Sequence, residues 1–285
     1  MYNQNCEGEI AIGKWRGGQA VNSQSEAGMF AEERKRQILT YVNKNMRVTV
    51  GDLCEEFSVS PATIRNDLNE LHEKGLIKRT HGGALANTQT NFEPVTNEKN
   101  DKFQKEKQCI AREALKYINE GDCIAMDAGT TVYELAKLLK GFKKLMVVTY
   151  DLNIAGFLDS NTEVSLFIAG GEVRKGHHYM VGNTSMEAIA KLNVDIFFMG
   201  ANGVSMKKGA TTPQLDTALL KERIIENSKQ RILLTDSSKL ENVSFAKFAD
   251  ISDLDVFITD EYADVEILEQ LRNQGVKIDV ARIGR

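Results

Sequence analysis

The feature that most limits what this chain can fold into is the stretch of residues 49–83. Thr49 can cap a first helix, and Asp52 three residues later completes a capping box. After a polar turn, Ser60 can cap a second helix that begins at Pro61, because the fixed φ and missing N–H of proline cost nothing at a first helical position. Two short amphipathic helices, followed by a basic strand with paired glycines, predict a helix-turn-helix with a wing.

The second predicted helix has two different faces. Ile64, Leu68 and Leu71 recur at i, i+4 and i+7 and form an apolar stripe, so small and amide side chains lie opposite. In a major groove an Asn can contact adenine and an Arg guanine or phosphate, while the basic strand can line a phosphate backbone. The candidate DNA-contacting residues are Ser60, Ala62, Thr63, Arg65, Asn66, Asn69, Lys78, Arg79, Thr80 and His81. A helical subdomain whose polar face is only solvated is the alternative.

Residues 33–84 resemble the N-terminal winged helix of the DeoR family of bacterial sugar-responsive transcriptional regulators. The resemblance rests on the arrangement ILxxV, VxxLxxxFxVSxxTIRxDLxxLxxxGLIxRTHGGA, which this chain carries without a gap. It implies binding to double-stranded operator DNA. The family commonly has a second Arg directly after the first in the recognition helix, and this chain has Asn66 there. The family's usual operator preference is therefore not carried over.

The net charge of −4 is unevenly distributed along the chain. Residues 29–86 hold nine Lys or Arg against eight Asp or Glu, whereas residues 87–285 hold 25 against 29. The predicted DNA-binding domain is thus only weakly basic. Its affinity must come from a few placed cations and from pairing copies of the chain on one operator, so we expect a homo-oligomer, a dimer or a tetramer.

Composition predicts a cytoplasmic protein. At 285 residues with 42% hydrophobic composition the chain can build a real core, and no apolar run approaches the length of a membrane span. Its start shows no signal-peptide pattern. The four cysteines, Cys6, Cys54, Cys109 and Cys123, form no CxxC pair, so we expect buried free thiols and neither a metal site nor a cofactor.

We expect four segments along the chain. Residues 1–28, rich in Asn, Gln, Gly and Ser, predict a disordered extension, with Met29 as a candidate natural start. A short arm that contacts DNA or a partner subunit through Lys14 and Arg16 is the alternative for this segment. A DNA-binding domain of residues 29–84, with its first helix over 31–44, precedes a polar linker of residues 85–101 around Pro94 and a second domain of residues 102–285.

The second domain alternates between apolar and amphipathic segments, beginning with a helix near residue 103. Strands are predicted at 123–126, 145–149, 164–169, 195–199, 231–235, 256–259 and 277–280, and further helices at 131–139, 184–191, 215–227 and 265–274. This alternation predicts an α/β fold with a mostly parallel sheet covered on both faces. Ligands of such sheets collect at the carboxyl ends of the strands.

Polar and glycine-rich segments follow several of these strands. The segment that begins at Asp127 can form a phosphate cradle, because Gly129 frees the backbone and the threonines after it can donate; an ordinary strand-to-helix turn is the alternative. Lys239 can complete charge neutralisation of a phosphate, whereas Lys221 alternatively is a solvated lysine on a polar helix face. The candidate effector-binding residues are Asp127, Gly129, Thr130, Thr131, Asp151, Gly170, Gly171, Arg174, Asn202, Lys221 and Lys239.

This half resembles the DeoR family's sensor domain, whose fold is similar to ribose-5-phosphate isomerase and coenzyme A transferases. The matching pieces are DAGTT, VVT followed by LNIA, AGGEVR, DIFFMGANGV and LLTDSSK. The resemblance implies a phosphorylated sugar effector, with Gly129, Thr130 and Thr131 on its phosphate and Lys239 nearby. Where the family usually shows Asn-Ser, this chain has Tyr150 and an acidic residue, which would reshape the sugar side of the pocket.

Two functions from different classes follow from these observations. The first is a transcriptional repressor whose operator affinity is changed by a phosphosugar. The second is an isomerase-like enzyme that carries a DNA-binding module, with Asp127 or Asp151 as general base and Lys239 stabilising an enediolate. We favour the regulator over the enzyme, because binding alone explains the phosphate-type loops and the DNA-binding module explains why binding would be useful.

Overall fold

The computed structural model describes residues 31, 34–35, 37–39, 41–42, 45–73, 76–86, 93 and 103–283. The extension predicted for residues 1–28 lies outside the described residues. The chain divides into two compact units, Met1–Asn87 and Thr88–Arg285. Among the described residues, no helix combines the length and the apolar character that a membrane crossing requires.

The first unit is a winged helix. A three-stranded antiparallel sheet in the order β1-β3-β2 consists of β1 (Arg47–Thr49), β2 (Ile77–Thr80) and β3 (Gly83–Ala86), and it is joined to α1 (Val50–Phe57) and α2 (Pro61–Glu73). The described residues between 31 and 45 are helical. The predicted capping box is confirmed: Thr49 Oγ1 accepts from the Asp52 amide at 3.1 Å, and the Asp52 carboxylate accepts from the Thr49 amide at 2.8 Å.

The inner face of α2 is both apolar and charged. Ile64, Leu68 and Leu71 are buried in the core of this unit, which confirms the predicted stripe. Asp67, on the same side, is also buried and accepts from Arg34 through Nε at 2.6 Å and Nη2 at 3.1 Å. This bidentate pair links α2 to the helical residues between 31 and 45, which include Arg34, and no local pattern in the sequence indicated it.

The paired glycines of the wing have separate roles. Gly82 lies in the turn between β2 and β3 with φ +91°. Glycine adopts this backbone conformation at a lower energy than residues with a Cβ do. Gly83 pairs with Thr49, and a Cβ there would lie 2.0 Å from the carbonyl oxygen of Val48. β3 then continues to Ala86, so the first two residues of the predicted linker, 85 and 86, belong to this strand.

The second unit is built on a parallel sheet. Its strands are β4 (Cys123–Met126), β5 (Met146–Thr149), β6 (Ser165–Ile168), β7 (Glu172–Arg174), β8 (Tyr179–Val181), β9 (Val194–Met199), β10 (Gly203–Ser205), β11 (Gly209–Thr212), β12 (Ser228–Leu234), β13 (Ala246–Ala249), β14 (Val256–Asp260) and β15 (Lys277–Ala281). Seven of them form a parallel sheet in the order β15-β14-β12-β9-β4-β5-β6. These are the seven strands that the sequence predicted.

Helices cover both faces of this sheet, as predicted. They are α3 (Gln104–Leu115), α4 (Thr130–Ala136), α5 (Leu152–Asn161), α6 (Asn183–Ile189), α7 (Leu215–Glu226) and α8 (Val265–Asn273). Neighbouring residues of the central strand β9 serve different cores: Phe197 packs in the cluster with α7 and α8, and Phe198 in the cluster with α3 and α4. α5, the hairpin β7-β8 and the antiparallel sheet β10-β11-β13 were not among our predicted elements.

Candidate functional site

The outer face of α2 is accessible. Ala62, Arg65, Asn66 and Asn69 are all exposed, as the helical pattern predicted. Thr63 is half-buried, and its amide donates to Ser60 Oγ at 3.2 Å, so these two hydroxyl residues form the N-terminal cap of the helix. Their predicted contacts with DNA remain predictions, as do those of the exposed residues.

The four candidates on the wing do not share one face. Side chains alternate along a strand, so Lys78 and Thr80 lie on one side of β2 and Arg79 on the side of the buried Ile77. Lys78 and His81 are exposed, whereas Arg79 is half-buried and its Nη1 donates to the Gly83 carbonyl at 3.4 Å. Lys78 and His81 are therefore the wing residues best placed to meet a phosphate.

Three of the polar segments that follow strands meet at Asp127, at the carboxyl edge of the parallel sheet. Its side chain is fully buried. One carboxylate oxygen accepts from the Tyr150 hydroxyl, and the other accepts from the Gly200 amide at 2.8 Å and from Lys221 Nζ at 2.6 Å. One carboxylate thus ties together the segments after β4, β5 and β9 and the helix α7.

Lys221 is not the solvated lysine that the helical pattern allowed. It is 3% exposed, and besides Asp127 its ammonium donates to the Gly200 carbonyl at 2.7 Å and lies 4.5 Å from the centroid of the Phe248 ring. Both charges of the pair are removed from solvent. We predicted Asp127 and Lys221 as effector contacts; in the structure both side chains are buried and paired with each other, and a contact with an effector remains a prediction for them.

Asp151 is also engaged by the protein itself. Its carboxylate caps α5 by accepting from the amides of Asn153 at 2.7 Å and Ile154 at 3.0 Å. Burial raises the pKa of Asp151 to about 6, because desolvation of the carboxylate outweighs the two amide hydrogen bonds. The Asp151 carboxylate therefore binds the amino terminus of α5, and its predicted effect on the sugar side of a pocket remains a prediction. Burial also raises the pKa of Tyr150 well above its ordinary value.

Three other candidate residues are accessible at the carboxyl edge of the parallel sheet. Gly129, Thr130 and Asn202 are each half-exposed, whereas Thr131 is buried in the first turn of α4. A Cβ on Gly129 would meet open space, so packing alone does not require a glycine there. Asn202 Oδ1 accepts from Thr212 Oγ1 at 3.5 Å, which orients its amide.

The candidate residues that follow β6 and β12 include Gly170, Gly171 and Lys239. A Cβ on Gly171 would lie 2.4 Å from Ser185 Oγ and from the Val181 carbonyl oxygen, so packing explains this glycine. The Gly170 carbonyl accepts from Ser185 Oγ at 2.7 Å. Lys239 is half-buried in a short 3-10 turn after β12, and β9 separates that strand from β4. Within the described residues, the Lys239 side chain makes no hydrogen bond or ion pair, and a phosphate contact remains a prediction for it.

Sequence reasoning missed a cluster around Tyr179. The Tyr179 hydroxyl donates to Glu93 Oε2 at 3.1 Å and accepts from Thr217 Oγ1 at 3.4 Å. Its ring packs edge-on against Tyr150, with centroids 6.4 Å apart, and Arg174 faces it across the β7-β8 hairpin. Burial and the neighbouring Glu93 carboxylate raise the Tyr179 pKa. No local pattern could find this cluster, because its members come from distant parts of the chain.

The cysteines of the described chain are free thiols. They are Cys54, Cys109 and Cys123, of which Cys109 is buried, while Cys6 lies outside the described residues. Burial raises the pKa of Cys123, which disfavours the reactive thiolate. In the part of the chain that the structure describes, no group of His, Cys, Asp or Glu side chains is arranged to hold a metal ion.

Known protein families match both units. Residues 34–90 match the DeoR-like helix-turn-helix domain, and residues 102–261 match the DeoR C terminal sensor domain. A winged helix followed by such a sensor domain defines a DNA-binding transcriptional regulator rather than an enzyme. The chain belongs to the DeoR family of transcriptional regulators.

Curated relatives cover nearly the whole chain. The HTH-type transcriptional regulator GlpR of Haloferax volcanii is 35% identical over 88% of this chain and 98% of its own length. The uncharacterized HTH-type transcriptional regulator FruR of Bacillus subtilis is 36% identical over 81% and 92%, and the glycerol-3-phosphate regulon repressor of Escherichia coli is 31% identical over 88% and 100%. Among solved structures, ribose 5-phosphate isomerase A of Methanocaldococcus jannaschii matches 47% of this chain and 53% of its own, at 18% identity and a TM-score of 0.35.

Proposed function

We propose that this regulator represses a sugar-utilisation operon and that a phosphorylated sugar, bound at the carboxyl edge of the seven-stranded sheet, controls its affinity for the operator. Several relatives are named repressors, among them the glycerol-3-phosphate regulon repressor of Escherichia coli and the repressor GlcR of Bacillus subtilis. The accessible amide face of α2 and the exposed wing residues support operator recognition.

The observation that carries the effector proposal is the buried network around Asp127. It holds three strand-end segments and α7 in fixed positions beneath the half-exposed Gly129, Thr130 and Asn202. Because the network already holds these groups in place, binding of a small ligand above them costs less conformational entropy. Backbone amides and hydroxyls on the accessible side offer the donors that a phosphate group needs.

The same network weighs against the isomerase alternative. A general base must reach the proton that it removes, either directly or through one water molecule. Asp127 is fully buried and has three donors, and Asp151 caps α5, so neither carboxylate is presented to a substrate. We therefore keep the binding function and propose no catalytic residue.

Arg65 and Asn66 are expected to contribute to operator binding in different ways. Asn66→Ala should lose about 1–3 kcal/mol of binding free energy, mainly at one base pair, because an Asn reads a base edge. Arg65→Ala should weaken binding across all sequences if it contacts phosphate. Gel shifts on the operator and on its point variants measure both effects. If both variants bind like the wild type, α2 is not the recognition helix.

The effector site is tested by operator titrations at fixed salt, with and without a phosphosugar that raises the melting temperature in a screen. Thr130→Val removes the hydroxyl of a half-exposed residue, and Lys239→Ala removes a cation that we predict to contact phosphate. We expect each change to abolish the ligand response and leave ligand-free operator affinity nearly unchanged. Thr162→Val, just before the amino end of β6 at the opposite edge of the sheet, is the matched control. A wild-type ligand response in either test variant overturns that residue's assignment.

A further inference from the structure

Two large apolar side chains lie on the outer face of α7. Leu215 is 54% exposed and Leu219 is 43% exposed. The two leucines are four residues apart, so they lie on one stripe of the helix. Ala218 and Leu220 of the same helix are buried in the core of the domain. α7 therefore carries apolar side chains towards the core and a second apolar stripe on its outer face, which a helix packed on one side only does not need.

A third apolar side chain lies at the same end of the domain. Phe245 directly precedes β13 and is 61% exposed. The next residue, Ala246, pairs with Thr212, and α7 begins three residues further along the chain at Leu215. Large exposed side chains that cluster in this way are typical of an interaction surface. We call Leu215, Leu219 and Phe245 the α7 face.

Charged side chains stand at both ends of the outer stripe. Asp216 in the first turn of α7 and Arg223 in its last turn are exposed. Arg223 pairs with Glu226 of its own helix at 2.7 Å, whereas Asp216 forms no ion pair with any residue that the structure describes. Seven residues separate Asp216 from Arg223, which is about 10 Å along a helix axis, so they cannot pair within one helix.

A second copy of the α7 face brings these charges together. When two copies of α7 pack antiparallel about a two-fold axis beside Leu219, residues before Leu219 on one helix lie opposite residues after it on the other. Leu219 then meets its own copy, and Asp216 lies opposite the second copy's Arg223. The symmetry repeats this charge pair on the other side of the axis. The face is thus complementary to itself in both apolar character and charge.

We propose that the α7 face pairs two copies of the regulator through an antiparallel contact between their α7 helices. A two-fold contact suits an operator with two half-sites, because the symmetry of the bound protein matches that of the DNA. It also supplies the second copy that a weakly basic winged helix needs for affinity. The pairing requires no effector, so it stands or falls independently of the proposed effector site.

Sedimentation equilibrium of the full chain, without DNA or ligand, measures the pairing. Leu219→Glu places two like charges beside the two-fold axis, and glutamate keeps the high helix propensity of leucine. We expect it to weaken association at least about 100-fold, because like charges are brought together in the contact, and to halve the observed mass. Val265→Glu adds the same charge at the exposed first residue of α8 and is the matched control. It should keep the wild-type mass.

An exchange of charges tests the antiparallel orientation. Asp216→Lys alone and Arg223→Glu alone each set like charges opposite one another, so each should weaken association roughly tenfold. The two changes combined restore opposite charges at both positions, and the double variant should associate like the wild type. Because the two positions are too far apart to pair within one helix, this recovery reports a contact between copies.

Three results overturn the proposal: a wild-type chain that stays monomeric, a folded Leu219→Glu chain with the wild-type mass, or a double variant that associates as weakly as the single charge variants. An unchanged mass together with a lowered melting temperature of Leu219→Glu would mean that another part of the same chain covers the α7 face. The charge variants replace exposed side chains, so they decide the question even if Leu219→Glu does not fold.

Discussion

Lys221→Met is expected to destabilise the second unit by about 3–5 kcal/mol, because it leaves the buried carboxylate of Asp127 without its counter-charge. Methionine fills a similar volume, so lost packing contributes little to this value. Urea unfolding followed by the near-ultraviolet circular dichroism of the tyrosines measures the change. A loss below about 1 kcal/mol would show that the pair is not buried as the structure has it.

The double variant Asp127→Asn with Lys221→Met provides the control for this experiment. The amide has no net charge to leave unpaired, and its oxygen can still accept from the Gly200 amide or the Tyr150 hydroxyl. We expect the double variant to recover most of the stability that Lys221→Met loses. If the two variants are equally unstable, the loss comes from the contacts of Lys221 with Gly200 and Phe248 rather than from the uncompensated charge.

Gly83→Ala is expected to disable operator binding. The added Cβ would lie 2.0 Å from the Val48 carbonyl oxygen and 2.9 Å from Thr49 Cα, and backbone atoms cannot give way as a flexible side chain can. Separating β1 from β3 should cost at least about 2 kcal/mol. A domain of roughly sixty residues is marginally stable to begin with, so a loss of this size unfolds a large fraction of it. Gel shifts on the operator should show a loss of binding that cooling partly restores.

Gly51→Ala is the matched control within the same unit. Gly51 lies in α1, is exposed, and a Cβ there would be 3.5 Å from Thr49 Oγ1, an ordinary contact. Alanine in a helix is favoured over glycine by about 0.5–1 kcal/mol, so this variant should bind operator at least as well as the wild type. Equal binding by the two variants would mean that β1 does not pack against Gly83.

The seven strands of the parallel sheet could be predicted because each contains a short apolar run; the inner five are mostly buried, whereas the edge strands β6 and β15 are largely exposed or half-buried. Such runs are visible without any knowledge of their neighbours. The small sheet β10-β11-β13 could not, because Gly203 and Gly209 are needed there for contacts with distant backbone: a Cβ would lie 2.3 Å from the Asn242 carbonyl oxygen at the first and 2.1 Å from the Ala249 carbonyl oxygen at the second. Only the folded chain brings these groups together.

The sequence likewise predicted one aspect of the candidate site and missed another. Sequence reasoning found the segments at the strand ends, since the carboxyl edge of a parallel sheet is defined by chain direction. It could not separate residues that face solvent from residues that pair with one another. Asp127 and Lys221 are 94 positions apart, and their local patterns indicate a polar turn and a lysine on a helix surface. In the folded chain they form one buried ion pair. Asp67 on α2 was missed for the same reason, because its partner Arg34 lies on another helix.

The central strand β9 contributes to both cores of the sensor domain, so we expect the domain to unfold as one unit. Phe197 packs in one core and Phe198 in the other, so loss of either core removes packing from the strand on which the other core depends. Subdomains that share such a strand cannot open one at a time without losing buried apolar contacts on both sides. A ligand that stabilises the carboxyl edge is therefore expected to stabilise helices on both faces of the sheet, including α3.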